Sequence, residues 1–175
     1  TIKGFDLAEK YRMTSMILAD GTMGQMMEPV SLEMGEVESY DKSWCACGSS
    51  SERPRNIVNS LFLKAEELEY FNIKRYEKYA EIEKNEAMYE EYMMDDAEIC
   101  IAAFGIAARV SKNAIDEARK MGIKVGMIRP ITLYPFPKAS LDALDYGRVK
   151  GIIDVEMTIP AQMRDDIELQ VKGRC

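Results

Sequence analysis

Three short apolar runs, each followed by a helical pattern, constrain the fold of this chain more than any other feature. The runs are "AEICIAAFG" from Ala97, "IKVGMI" from Ile123 and "VKGIIDVEM" from Val149. The helical patterns after them are "SKNAIDEARKMG", "PKASLDALDYG" and "PAQMRDDIELQVKG", and each ends at a glycine. This alternation predicts an α/β domain with a parallel sheet, right-handed crossovers and flanking helices. In the first helix we expect Ser111 as the N-cap and a buried stripe of Ala114, Ile115, Ala118 and Met121.

The upstream half predicts a smaller α/β segment and a long helix. Residues 2–12 have a partial helical face, and residues 16–19 form a short apolar run that predicts a strand, followed by an Asp-Gly turn. Residues 28–59 lose periodicity and predict a long surface loop or linker. Residues 64–94 contain neither glycine nor proline and predict an amphipathic helix, or two in series, with a coiled-coil arm as the alternative. The apolar face of that helix comprises Leu68, Phe71, Tyr79, Ile82, Tyr89 and Met93.

The stiff segment "RPITLYPFP", residues 129–137, follows the second apolar run. Its first proline has no N–H for the sheet and is expected to end the strand, and the later prolines fix a rigid lead into the next helix. Parallel sheets bind ligands at the carboxyl ends of their strands. Arg109, Arg129 and Tyr134 are therefore candidate residues at a functional edge, chosen by strand-end position and not by a catalytic motif. A purely structural connection between strand and helix is the alternative.

Two acidic residues close the third apolar run. Asp154 and Glu156 stand at a strand end, where carboxylates can carry out acid–base chemistry, or they are charges at a sheet edge and a helix start. The segments "FGIAAR" and "GTMGQ" have too few glycines for a dinucleotide-binding loop. No complete active site is visible in the residues alone.

Composition excludes several classes of function. The net charge of −7 argues against nucleic acid and anionic membrane surfaces as partners, and no stretch approaches the roughly 20 apolar residues of a membrane helix. No secretory signal pattern opens the chain, so we expect a cytoplasmic protein. Histidine is absent, which excludes Ser-His and Cys-His nucleophiles. The cysteines lack zinc or iron–sulfur spacing, so no metal site is predicted and Cys100 is expected to be a buried thiol; they are Cys45, Cys47, Cys100 and Cys175.

Several stretches, taken in order, resemble one family. They are "FDLAEKYR", "MILADGTMGQMMEPV", "NIVNSLFL", "KYAEIEKNEAMYEEYMMDDAEI", "ARKMGIKVGMIRPITLYPFP" and "VEM" followed by "QM". Together they look like the α subunit of 2-oxoacid:ferredoxin oxidoreductases, in particular the subunits acting on 2-oxoisovalerate or 2-oxoglutarate. The resemblance implies a C-terminal portion of that subunit. It implies that residues 1–40 end a thiamine-diphosphate pyrimidine-binding domain, residues 41–96 form a loop and long helical linker, and residues 97–175 form a transketolase C-terminal-like domain II.

The resemblance also implies the chemistry of a whole complex. Such enzymes hold thiamine diphosphate and Mg²⁺ at a site shared with a partner subunit, decarboxylate a 2-oxoacid, and pass the acyl group to coenzyme A. Iron–sulfur clusters on other subunits carry electrons to ferredoxin. The implied partners are a β subunit and small γ or ferredoxin-like subunits of one oligomer. This chain alone is expected to hold no cofactor, to be inactive, and to serve assembly and the framing of the active-site entrance.

This chain departs from the family pattern in ways that limit residue assignments. The family's α subunit begins well upstream, and the glutamate that activates the cofactor lies in that part, so no catalytic residue is matched here. Where the family often has "VEMNMGQM", this chain has "VEMTIPAQM", so no phosphate or coenzyme A contact is carried over to that turn. Two other hypotheses are a non-catalytic protein-interaction module with an α/β fold and a transketolase-like enzyme that does not use ferredoxin.

Overall fold

The computed structural model describes residues 1–31, 39–46, 48–50 and 52–175, so Cys47 and part of the predicted long loop lie outside the described residues. These residues fall into two units, the first comprising residues 1–18 and 28–80 and the second residues 19–27 and 81–175. The helices are α1 (Ile2–Tyr11), α2 (Gly21–Gln25), α3 (Ala65–Glu86), α4 (Gly105–Lys120), α5 (Lys138–Asp142) and α6 (Met163–Val171). The strands are β1 (Tyr89–Tyr92), β2 (Ile99–Ala103), β3 (Val125–Pro130) and β4 (Gly151–Val155).

A four-stranded sheet organises the second unit, with the strand order β1-β3-β2-β4. Strands β3, β2 and β4 run parallel, and β1 pairs antiparallel with β3. The predicted α/β architecture with flanking helices is confirmed. The three predicted strands run parallel as expected, and β1, which was not predicted as a strand, adds an antiparallel edge.

Helices cover both faces of this sheet. On one face α4 packs over the strands, and Ala103, Ile115 and Met127 there have no exposed surface. On the other face α5 and α6 pack over Cys100 and Ile128. Burying one such branched side chain stabilises the fold by roughly 1.5–3 kcal/mol, so these two layers hold the sheet in place. The burial of Cys100 confirms the thiol predicted for the first apolar run.

The segment after α3 is a strand, which corrects the prediction of a helix to residue 94. The helix ends at Glu86, and Tyr89 and Met93 therefore do not lie on its face. In β1 every second side chain points to α4, and the Tyr92 hydroxyl donates a hydrogen bond of 2.7 Å to Asp116 in that helix. In a strand, alternate side chains face the same way, and this spacing allows the contacts with β3 and α4. Tertiary packing therefore overrides the helix-forming composition of this segment.

The start of α4 also differs from the prediction. The helix begins at Gly105, so Ser111 is a buried residue in its interior and not an N-cap. Ala108, Ser111 and Ile115 form the buried stripe of α4, so Ile115 of the predicted stripe is buried. Met121, which was predicted to be buried, is 72% exposed. Two further helices are shorter than predicted, since α5 ends at Asp142 and α6 starts at Met163.

The first unit contains α1 and the segment that packs on it. The predicted N-terminal helix is confirmed and buries Tyr11. Lys42 forms an ion pair of 3.0 Å with Glu9, and the Arg12 guanidinium lies over the Trp44 ring. The strand predicted for residues 16–19 is not formed. These residues have no partner strand among the described residues, and a single extended segment cannot satisfy its own backbone.

The long helix α3 is covered mainly near its C-terminal end, where Ile82 and Glu86 are buried. Leu68 and Phe71, on the predicted apolar face, are 43% and 45% exposed. Among the described residues, no helix has the length and apolar character needed to cross a membrane.

Candidate functional site

The carboxyl ends of β2 and β4 lie side by side, and the chain leaves them toward opposite faces of the sheet. Ala103 and Val155 are partners in the parallel register. After β2 the chain enters α4, which covers one face, and after β4 it leads to α6, which covers the other. Where neighbouring connections diverge in this way, an α/β sheet opens a crevice that commonly binds ligands. We call the residues that follow the two strands, Phe104, Gly105 and Glu156, the β2–β4 crevice.

A carboxylate lies beside the first residue of α4. Gly105 has a φ of +56°, a left-handed conformation that side chains other than glycine rarely adopt. A Cβ built on Gly105 would lie 3.6 Å from Oδ2 of Asp20. The other oxygen of Asp20 accepts a hydrogen bond of 2.8 Å from the Met23 amide and caps α2. The sequence predicted only a turn at Asp20, and its closeness to α4 has no local signal.

Glu156 reaches forward to cap α6. Its Oε1 accepts hydrogen bonds from the amides of Met163 at 2.9 Å and Arg164 at 3.3 Å. Its Oε2 accepts a hydrogen bond from the Thr158 hydroxyl. Burial alone would raise the pKa of Glu156, but the hydrogen bonds from Thr158, Asp154 and the start of α6 lower that pKa to about 2. Of the alternatives left open for Glu156 by the sequence, the geometry therefore favours the helix-start charge.

Asp154 lies on the face of the sheet that α6 covers. It is the register partner of Ala102, which is 2% exposed. Its Oδ1 is buried and has no hydrogen-bond partner in the part of the chain that the structure describes. Burial, and then the hydrogen bond and charge of Glu156, raise the pKa of Asp154 to about 7. Asp154 therefore holds its proton up to the neutral range, as a general acid would.

The crevice does not fit a diphosphate group. The amides at the start of α6 are already bonded to Glu156, and the start of α4 has Asp20 beside it. A diphosphate brought to these helix ends would meet carboxylates, which disfavour an anion. Nor do the described residues contain a group of three or more cysteine, aspartate or glutamate side chains arranged to hold a metal ion.

Arg129 is held in an ion-pair network on the α4 face of the sheet. Its Nη1 lies 2.6 Å from Oε2 of Glu90, its cross-strand partner in β1. Lys112 of α4 lies 2.6 Å from the other oxygen of Glu90. These hydrogen bonds, from Lys112 and then Arg129, lower the pKa of Glu90. Sequence reasoning missed Glu90, because its pairing with Arg129 depends on β1 being a strand.

The other two predicted edge residues lie elsewhere on the second unit. Tyr134 is 61% exposed in the connection after β3, and Arg109 is exposed in α4, four residues after its start. The connection is fastened through Thr132, which accepts a hydrogen bond from the Met88 amide at 2.9 Å and donates one to the Pro135 carbonyl at 2.8 Å. These bonds support the structural alternative for the stiff segment. A binding role for Arg109, Arg129 and Tyr134 stays a prediction.

Several oxidoreductase and synthase subunits are similar to this chain. The family model described as pyruvate:ferredoxin oxidoreductase core domain II matches residues 97–174. The ketoisovalerate oxidoreductase subunit VorB of Methanothermobacter marburgensis is 50% identical over 97% of this chain and 47% of that subunit. VorB of Methanothermobacter thermautotrophicus is 47% identical over the same shares. The 2-oxoglutarate synthase subunit KorA of Methanocaldococcus jannaschii is 29% identical over 91% of this chain and 49% of its own length.

The chain thus spans about half the length of the curated relatives it matches. A solved structure described as 2-oxoglutarate:ferredoxin oxidoreductase from Magnetococcus marinus, with 2-oxoglutarate, coenzyme A and succinyl-CoA bound, matches 62% of this chain and 19% of its own. The match has a TM-score of 0.54 at 23% identity, which is a likeness of fold. The chain is therefore a homologue of the α subunits of 2-oxoacid:ferredoxin oxidoreductases, and its residues 97–174 belong to the core domain II family of these enzymes.

Proposed function

We propose that this chain is part of the α subunit of a thiamine-diphosphate-dependent 2-oxoacid:ferredoxin oxidoreductase. Such an enzyme oxidatively decarboxylates a 2-oxoacid to acyl-CoA and reduces ferredoxin. The observation that carries the proposal is the 50% identity to a ketoisovalerate oxidoreductase subunit across 97% of this chain. This identity favours 2-oxoisovalerate over 2-oxoglutarate, since the identity to the 2-oxoglutarate synthase subunit is 29%.

Within this proposal each part of the chain has a role. Residues 1–40 end the pyrimidine-binding domain, residues 41–96 link the domains, and residues 97–175 form a transketolase C-terminal-like domain II. Thiamine diphosphate and Mg²⁺ bind at a site shared with the β subunit, and other subunits carry the iron–sulfur clusters. The acidic β2–β4 crevice supports this division, because its helix ends already have carboxylates beside them. The complex is cytoplasmic.

Domain II, in this proposal, frames the active-site entrance and contributes to assembly. Arg129 and Tyr134 lie at or just after the carboxyl end of β3, and Arg109 lies in the early part of α4. Arg129 suits a rigid framing role, since Glu90 and Lys112 fix its position. Conversion of Arg129 to lysine would retain the charge and lose the fixed planar contact with Glu90.

An activity assay of the assembled complex tests the proposed reaction. The α subunit containing this chain is co-expressed with its partner subunits, and the reduction of ferredoxin is followed with coenzyme A and one 2-oxoacid at a time. We expect turnover with 2-oxoisovalerate to exceed turnover with 2-oxoglutarate or pyruvate. If 2-oxoglutarate were the one 2-oxoacid that supported reduction of ferredoxin, the proposed substrate would be wrong. If no 2-oxoacid supported reduction, the proposed reaction would be wrong.

Calorimetric titration separates this proposal from a non-catalytic interaction module. Thiamine diphosphate with Mg²⁺ is titrated into this chain, into the β subunit and into their mixture. A shared site predicts heat of binding only in the mixture. Tight binding by this chain alone would contradict the placement of the cofactor site. An absence of binding in all three samples would favour the interaction module.

A further inference from the structure

The outer edge of β4 is an open edge of the sheet. In the strand order β1-β3-β2-β4 it has β2 on one side and, among the described residues, no strand on the other. Such an edge has a row of backbone N–H and C=O groups without strand partners, with which another chain can pair. Burial reflects the missing neighbour, since every residue of β3 but one is buried and no residue of β4 is.

The two edges of the sheet differ in their protection against pairing. The opposite edge strand, β1, has the sequence "YEEY", and its adjacent charges, Glu90 and Glu91, disfavour an added strand of the same kind. In contrast, β4 has the sequence "GIIDV", with neither proline nor lysine, and its Ile153 is 50% exposed. The edge that remains open to pairing is therefore that of β4.

The charges around β4 are arranged so that the strand complements itself. Lys150 lies two residues before Ile152, and Asp154 lies two residues after it. If two copies pair antiparallel with Ile152 opposite Ile152, each lysine lies opposite an aspartate of the other copy. Directly opposite residues have Cβ atoms about 4.5–5.5 Å apart, which is within reach of an ion pair. Arg148 and Glu156 repeat this order of charges further out, although each is already bonded within its own chain.

Both members of this pair have bonding capacity left. Nζ of Lys150 lies 2.5 Å from Oε2 of Glu98, but the Lys150 side chain is 72% exposed and its ammonium group has three donors. Oδ1 of Asp154 is buried and has no hydrogen-bond partner in the part of the chain that the structure describes. A lysine from a second copy would supply a donor to this carboxyl group.

We propose that two copies of this chain pair through β4, antiparallel and centred on Ile152, and join their sheets into one. The contact uses the same residues on both copies, so it closes as a dimer with two-fold symmetry. In this register Gly151 lies opposite Ile153 of the second copy. Because a Cβ at Gly151 would have no other atom within 4 Å, space is open there for that isoleucine. The pairing does not depend on the reaction proposed for the complex.

Sedimentation velocity of the 175-residue chain tests the pairing. Every sample carries Leu61→Ser and Leu63→Ser, so that these exposed leucines of the first unit do not add to association. Lys150→Glu places like charges opposite each other twice, and we expect the dissociation constant of the dimer to rise about ten-fold. Lys124→Glu is the matched control and should leave that constant unchanged, because Lys124 also pairs with Glu98, at 3.7 Å, but precedes β3. Equal constants in the two variants, or a monomer at every concentration without them, would overturn the proposal.

Hydrogen–deuterium exchange locates the contact on the chain. The amides of β4 should exchange more slowly above the dissociation constant than below it, while those of β1 exchange equally at both concentrations. Lys150→Glu, compared at the same two concentrations, should remove this difference in β4. A dimer without added protection of β4 would mean that another surface pairs. Protection of β4 at every concentration would mean that another segment already covers this edge, and either result would overturn the proposal.

Discussion

At the scale of single residues, Glu156 differs from the exposed ion-paired residues of the second unit. Ion pairs such as Lys120 with Glu117 are exposed and contribute at most about 1 kcal/mol each. Glu156 instead satisfies two amides that α6 cannot bond internally. It therefore acts as an N-cap from outside the helix, and its loss is expected to cost more than the loss of an exposed pair.

Removal of this cap is the first prediction. Glu156→Ala should lower the free energy of unfolding of the second unit by about 1 kcal/mol at pH 7. Because the pKa of Glu156 is lowered from 4.5 to about 2, its stabilisation is present above pH 4.5 and is lost as the pH falls toward 2. The loss caused by Glu156→Ala should therefore shrink between pH 5 and pH 3.

Urea unfolding followed by circular dichroism measures this loss. The transition of the second unit is the one without a change in tryptophan fluorescence, since the single tryptophan, Trp44, lies in the first unit. The series uses an Asp154→Asn background, so that Asp154 does not titrate. Glu168→Ala, at an exposed position of α6, is the matched control. An equal loss at pH 7 and pH 3 would show that the charge of Glu156 is not what caps the helix.

The raised pKa of Asp154 predicts that the stability of the second unit depends on pH with the opposite sign. Its pKa is raised from 3.8 to about 7, so the folded state binds the proton more tightly than the unfolded state does. The stability of the second unit should therefore fall as the pH rises from about 4 to about 7, and Asp154→Asn should flatten this slope. Unfolding free energies at pH 5, 6, 7 and 8 measure it. A slope that is identical in the wild type and in Asp154→Asn would contradict the assignment.

At the scale of elements, close packing against β3 requires a glycine in that strand. Gly126 lies where the backbone of residue 93 passes over the strand, and a Cβ there would be 2.5 Å from the Met93 carbonyl oxygen. A Cβ at Gly151 in β4 would have no other atom within 4 Å. The two strand glycines thus differ in purpose: Gly126 permits a close approach, and Gly151 does not.

A pair of alanine substitutions tests this difference. Gly126→Ala must move the backbone at Met93, and we expect it to destabilise the second unit by about 1–3 kcal/mol. Gly151→Ala should leave stability within about 0.5 kcal/mol of the wild type. Denaturant unfolding of the second unit measures both. Equal effects of the two substitutions would mean that the turn at residue 93 yields without cost.

The same elements show what the sequence can and cannot predict. The three parallel strands and their helices were predictable, because apolar runs of strand length and glycine stops are local signals. β1 was not predictable, since "YEEY" lacks the apolar alternation of a strand. The partners of Glu90 and Tyr92 lie in β3 and α4, which are distant in sequence. In the crevice, the strand-end position of Asp154 was readable from the pattern. The burial of its Oδ1 without a hydrogen-bond partner among the described residues has no local signal and was not.

At the scale of the whole molecule, the first unit carries a continuous stretch of exposed apolar side chains. Residues 57–63 include large side chains that are mostly exposed, and the exposed fractions of Leu61 and Leu63 are 72% and 88%. Phe62 is part of the same stretch and stacks on Phe71, with ring centroids 4.1 Å apart. Large apolar side chains are usually buried, but the sequence does not identify the surface that would cover these. Contiguous exposed apolar side chains of this kind favour association.

Self-association is therefore the last prediction. Sedimentation velocity should show a sedimentation coefficient that rises with the concentration of this chain. Each leucine contributes roughly 1.5–3 kcal/mol when buried, and each 1.4 kcal/mol changes an equilibrium ten-fold. Substitution of both Leu61 and Leu63 by serine should accordingly weaken association by more than about ten-fold. It should not unfold the first unit, since both side chains are already exposed.

The matched control for that experiment is Leu169→Ser on α6, where a leucine is 74% exposed. It removes one exposed leucine from the second unit, about half the apolar area that the double variant removes, and should leave the association of the chain as in the wild type. A monomeric wild type at every concentration would mean that residues 57–63 do not drive association. If Leu169→Ser changed the free energy of association by about half as much as the double variant, association would follow total apolar area. Only a specific loss in the Leu61 and Leu63 variant assigns the contact to that stretch of the first unit.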